Sequence, residues 1–126
     1  MKEKFQLEYV LGHASTSVLW QSISTTHGLE EWFADSVTVK GSDYTFVWDD
    51  TPQEAVLKNS RIGVYMRFHW KEEKDAKTYF ELRISVNELT QDVILTVTDF
   101  AEPEDKDDAV ELWNMDVDNL RKMLGI

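Results

Sequence analysis

No cysteine occurs among the 126 residues of this chain. Disulfides, a thiol nucleophile and thiolate metal ligation are therefore excluded. Glycine is scarce at five and proline at two. Gly12 and Gly28 stand alone, so no glycine-rich phosphate loop is present. No window approaches the roughly 18 apolar residues that a membrane span needs. The N-terminal stretch MKEKFQLEYVLGHAS is interrupted by Gln6 and Glu8 before an apolar run of leader length can form. The expectation is a soluble, cytoplasmic protein with no membrane span. Positive charge is the other shortage: 13 Lys and Arg face 24 Asp and Glu, for a net charge of −11. Such a chain lacks the cations that neutralise phosphates, which argues against nucleic-acid binding and against anionic membrane surfaces.

Signatures of chemistry are also thin. His13, His27 and His69 are far apart and lack metal-ligand spacing, and no His-Glu-x-x-His run exists. No serine sits in a Gly-x-Ser-x-Gly setting. No metal, no cofactor and no catalytic residue is expected. His69 reads as part of a polar cross-strand ladder with Glu81 and Arg83; the alternative is a buried His69–Glu81 acid/base pair. Asp49-Asp50 could be paired carboxylates, but beside Thr51-Pro52 they read as a turn. The acidic run from Glu102 to Glu111 lacks the glycine and alternating oxygens of a calcium loop. It suits the start of a helix, where the dipole favours negative charge.

Large aromatics are what the chain has in plenty: five Trp, six Phe and four Tyr. They fall on a legible order of elements. Phe5, Leu7, Tyr9 and Leu11 alternate with Gln6, Glu8 and Val10, predicting a strand. Ser15 can cap a helix with Val18, Leu19 and Ile23 on one side. Thr25, Thr26 and Gly28 are expected to break it before a second short helix, Leu29 to Phe33. Period two then holds for about sixty residues. The predicted strands are Ser36 to Lys40; Tyr44, Phe46 and Trp48; Ala55 and Leu57; Met66, Phe68 and Trp70; Phe80, Leu82, Ile84 and Val86; and Val93 to Phe100. The turns expected between them are Gly41 to Asp43, Asp49 to Pro52, Asn59 to Gly63, Lys71 to Lys77 and Asn87 to Asp92. Val110, Trp113, Val117, Leu120 and Leu124 recur at three and four, the stripe of a long helix that Gly125 can end. The short links predict an antiparallel meander in one domain, residues 1–126.

This order, with SVLWQSISTTHGLEEWFAD, Met66-Arg67-Phe68-His69-Trp70 and the stretch from Asp92 to Phe100 before Leu112-Trp113, resembles the START-like (Bet v 1-like, SRPBCC) superfamily. Within it the likeness is to the branch related to the activator of Hsp90 ATPase. Leu112 stands where that branch often has glycine, and Asp99 where it often has histidine. The resemblance implies an α+β helix-grip fold: a curved antiparallel sheet of seven strands, two short helices, and a long C-terminal helix across the concave face. It also implies a hydrophobic ligand, a co-chaperone role or a cyclase-like activity. Trp32, Phe33, Phe46, Trp48, Met66, Phe68, Phe80, Leu82, Trp113 and Val117 would face inward in that fold. They would form either a packed core or an apolar ligand cavity. The expected function is non-enzymatic binding of an apolar small molecule. The alternatives are a protein partner with a basic surface, which the acidic charge would attract, and an enzyme using the same cavity. A titratable group pointing into the cavity would separate enzyme from binder.

Overall fold

The computed structural model describes residues 1–126. Strand β1 (Glu3–Val10) leads to helices α1 (Thr16–Ser24) and α2 (Thr26–Trp32). Six strands follow: β2 (Ser36–Lys40), β3 (Asp43–Trp48), β4 (Thr51–Arg61), β5 (Tyr65–Trp70), β6 (Phe80–Val86) and β7 (Val93–Ala101). A short 3-10 turn, Pro103–Asp105, opens into α3 (Lys106–Leu124). The sheet runs β1-β7-β6-β5-β4-β3-β2 with every pairing antiparallel. Strands β2 to β7 form the meander, and β1 returns to flank β7. The curved sheet grips α3 across its concave side, the helix-grip arrangement that the sequence predicts.

Ser15 caps α1 by accepting from the Val18 amide at 3.3 Å. Its apolar side is narrower than expected: Leu19 and Ile23 are buried, whereas Val18 is 44% exposed. The break that follows is also shorter. Thr25 alone ends α1, and its hydroxyl accepts from the Gly28 amide at 2.9 Å to start α2. Thr26 and Gly28 lie inside α2 rather than breaking the chain. Gly28 is there for close approach, since a Cβ would fall 2.1 Å from the Gln21 carbonyl oxygen of α1.

Two turns are tighter than their polarity suggests. Asp49 and Asp50 carry positive φ of 48° and 62° and alone join β3 to β4. Thr51 and Pro52 belong to β4. Pro52 is tolerated because β5 ends short of it; the last β4–β5 pair is Ala55 with Trp70. Asn59, Ser60 and Arg61 also belong to β4, beyond a bulge between Leu57 and Asn59.

The core is a single cluster of 25 buried residues between the sheet and the helices. Three indoles in or against this cluster each donate a hydrogen bond, as buried Trp usually does. Trp32 donates to the Ser22 carbonyl at 2.8 Å, Trp48 to the Phe33 carbonyl at 2.8 Å, and Trp113 to the Asp99 carboxylate at 2.9 Å. The Tyr9 hydroxyl donates to Asn114 at 2.7 Å and fastens α3 to β1. Gly125, in the left-handed region at φ 75°, ends α3 as expected.

The convex face carries a polar row. Gln6, Thr98, Glu81 and Arg67 are register neighbours across β1, β7, β6 and β5. Glu81, only 4% exposed, accepts from Arg67 at 2.8 Å and from Arg83 at 3.0 Å. Burial pushes its carboxyl up, but the two guanidiniums outweigh that and hold it below the usual range. His69 takes no part in this cluster. Its Nδ1 lies 2.8 Å from the Thr78 carbonyl and must donate, so neither the His69–Glu81 ladder nor the acid/base pair forms.

Candidate functional site

At one end of the concave face the core opens. The inward phase of β3 ends on Trp48, that of β5 on Trp70, and β6 begins on Phe80. Phe33 follows α2, and α3 supplies Trp113 from above. Between them lies a cleft of about 450 Å³. Its walls are these five rings in continuous contact. Phe33 stacks on Trp113 at 5.5 Å between ring centres and meets Trp48 edge-on at 5.3 Å. Trp70 lies 5.0 Å from Phe80 and 6.0 Å from Trp48. Ala109 and Leu112 of α3 complete the apolar lining, and Leu112, 63% exposed, marks the rim.

Three polar groups reach the cleft: Gln53 of β4, Asp99 of β7 and Asp116 of α3. Asp99 is held in place. One oxygen accepts from the Trp113 indole at 2.9 Å and the other from the Phe100 amide at 2.7 Å. Burial raises its pKa, and these two bonds oppose the rise. Asp116 makes no hydrogen bond and no ion pair within the chain. Burial alone pushes its pKa up to about 7.

The ten expected cavity residues divide between cleft and core. Phe33, Trp48, Phe80 and Trp113 line the cleft. Trp32, Phe46, Met66, Phe68, Leu82 and Val117 lie in the packed core, and Val117 is 0% exposed. Sequence reasoning missed Trp70, Gln53, Ala109, Leu112, Asp99 and Asp116 as neighbours of the space. The signal was present. Asp99 continues the inward phase of Val93, Leu95 and Val97, and Asp116 stands on the helical stripe between Trp113 and Leu120. A carboxylate on an apolar phase is the exception that marks a site.

The sequence profile of the START-like superfamily domain matches residues 1–126. The chain belongs to the START-like superfamily. This START-like domain is 43% identical to BfR322 from Bacteroides fragilis, with a TM-score of 0.68 over 97% of this chain and 90% of that one. It also resembles the Aha1 dimer from Colwellia psychrerythraea at 14% identity, with a TM-score of 0.80 over 98% and 97% of the two chains. The second likeness is one of fold alone. No curated protein matches the chain. Small-molecule binding is typical of domains with this fold. No helix is long and apolar enough to cross a membrane.

Proposed function

We propose that this START-like domain binds a small molecule with an apolar, lipid-like or aromatic body in the cleft beneath α3. One observation carries the reading: about 450 Å³ of space walled by five aromatic rings lies between the sheet and the long helix. Sites for small molecules are typically concave, mostly apolar and about 300–1,000 Å³, with a few polar groups that orient the ligand. Gln53, Asp99 and Asp116 supply those groups. The expected cavity residues contribute in two ways, Phe33, Trp48, Phe80 and Trp113 by contact and the other six by holding the rings in place.

The test is a thermal-shift screen with a broad set of lipids and aromatic metabolites. A ligand that binds only the folded state raises the melting temperature by mass action. Ala109→Trp, which fills the cleft from α3, should abolish the shift. A screen without hits, or hits that Ala109→Trp leaves unchanged, would overturn the reading.

A second reading, an enzyme using the same cleft, is favoured by Asp116. A carboxyl whose pKa lies near 7 is suited to exchange protons at neutral pH. Turnover of a ligand found in the screen, lost in Asp116→Asn with binding retained, would establish it. The co-chaperone alternative draws support from the net charge of −11 and the resemblance to the branch of the activator of Hsp90 ATPase. It requires salt-sensitive association with a basic protein surface. A cytoplasmic location belongs to the same proposal.

A further inference from the structure

The walls and the polar groups of the cleft ask for one kind of charge. Aromatic faces are negative and attract cations, Trp most strongly. Three of the five rings here belong to Trp48, Trp70 and Trp113. Asp116 opens into the same space with no partner in the chain, and Asp99 lines that space as well. A second, smaller opening shares Phe33, Trp48 and Asp116 and is bordered by Glu30, Glu31 and Asp35. No Lys, Arg or His lines either opening. Lys2, the cation whose charge reaches Asp99, is already paired with Glu73.

Three ligand types can be weighed against this arrangement. An anion meets like charge on every side. A neutral hydroxyl can donate to Asp116 but gains nothing from the ring faces. An ammonium group satisfies the carboxylate, the indole faces and the acidic border together. We propose that the ligand carries a cationic nitrogen on an aromatic or alkyl body, with the charge held between Asp116 and the indoles. This inference rests on the small-molecule reading and names the substrate class within it.

Asp116 makes the assignment sharper. With its pKa near 7, this carboxyl is partly protonated at neutral pH before a cation binds. A bound cation favours the ionised form, so binding releases protons and strengthens as pH rises through 7. The other acids lining the two openings are Asp99 from β7, Glu30 and Glu31 from α2, and Asp35 from the following loop. All are acids, so none supplies the opposite trend by losing a positive charge.

Three probes of nearly one shape test the proposal: benzylammonium, benzyl alcohol and benzoate. Each is titrated into the intact protein at pH 8 and low salt, with the Trp48 and Trp113 indole N–H signals read by NMR. Benzylammonium should bind at least about tenfold tighter than benzyl alcohol, the scale of a partly desolvated cation–π and ion-pair contact. Benzoate should leave both indoles unmoved. Asp116→Asn should cut the preference sharply, leaving only the part the indoles supply, and should change the alcohol far less, since the Asn oxygen can still accept from its hydroxyl. Glu88→Gln, an exposed acid on the β6–β7 turn, should retain it, which separates the cleft from general acidity. Equal affinity for ammonium and alcohol would overturn the cationic assignment while the small-molecule reading stands. No indole shift with any probe would also overturn it, and the broad screen with Ala109→Trp then judges the parent reading separately. The comparison of the three probes on the unaltered protein holds whether or not a variant folds.

Discussion

Asp116 costs the fold something, and its role follows from that cost. Its folded pKa of about 7 lies above the usual carboxyl value of 3.8. Between about pH 4 and 7 the folded chain therefore keeps a proton that the unfolded chain has lost, and stability falls as pH rises through that window. Asp116→Asn should be more stable than the parent at pH 8 and equal to it near pH 3.5. A sealed interior would make such a shift worth about 4 kcal/mol. In an open cleft that water enters, a gain on the order of 1 kcal/mol is expected. Denaturant melts at the two pH values measure it, and a difference independent of pH would refute the account. Stability given up at a site is a common counterpart of function there. Trp113 is the opposite case, with its ring in the core and its N–H on Asp99. Trp113→Ala should cost about 3–5 kcal/mol in the same melts. A loss under about 1 kcal/mol would show that the ring contributes little to the core. Part of the apolar lining was legible in the sequence: Phe33, Trp48, Phe80 and Trp113 sit on clean periods of two and 3.6, whereas Trp70, Ala109 and Leu112 were not placed there. The polar half of the site was not legible, because Asp99 and Asp116 look like ordinary surface acids until their phase is counted.

The elements show why boundaries were harder to read than types. Every strand and helix was legible, since alternation and the three-four stripe survive local noise. The misplaced ends share a cause. Thr51, Asn59 and Ser60 are polar because they face solvent, and Pro52 lies on the part of β4 that β5 does not reach; such strand residues look like turn residues. Gly28 misled for a different reason. Its smallness serves the packing of α2 on α1, which no local pattern reveals. Gly28→Ala would drive a Cβ into the Gln21 carbonyl and the Ser22 Cα, at 2.1 and 2.7 Å. The two helices must separate, at a cost of about 1–3 kcal/mol for an overpacked contact. A melting curve superimposable on the parent's would rule this out. On α3, two positions separate cleft from core. Ala109 lines the cleft and Val117 is sealed beneath it. Val117→Trp should destabilise by about 1–3 kcal/mol, whereas Ala109→Trp should hold its stability and lose ligand uptake. If Ala109→Trp were the more damaging of the two, the cleft would be closed in solution.

At the scale of the whole molecule the fold was readable because each level agrees: seven alternating strands, short links and one amphipathic rod admit few arrangements. Function was less readable because one fold serves many sites, and the cleft is assembled from residues spread between Phe33 and Asp116. Charge is the property that belongs to the molecule rather than to any part. A net charge of −11 makes the compact state repel itself. It should also raise the local concentration of cations. Salt must then act in opposite directions on stability and on binding. The Debye length falls from about 30 Å at 0.01 M to about 8 Å at 0.15 M. Over that range the melting temperature at pH 8 should rise by about 3–5 °C, on the order of 1 kcal/mol. The affinity for benzylammonium should fall over the same range. Local ion pairs argue for the reverse effect on stability. Met1 with Glu102 and Lys71 with Asp43 are exposed and weaken in salt, but such pairs contribute little. The pair of arginines on the nearly buried Glu81 is screened less, since the carboxylate itself is out of water. Self-repulsion should therefore win. A melting temperature that fell with added salt would mean that surface pairing outweighs the excess of 11 negative charges, and the picture of an acidic field drawing cations toward the cleft would fail with it.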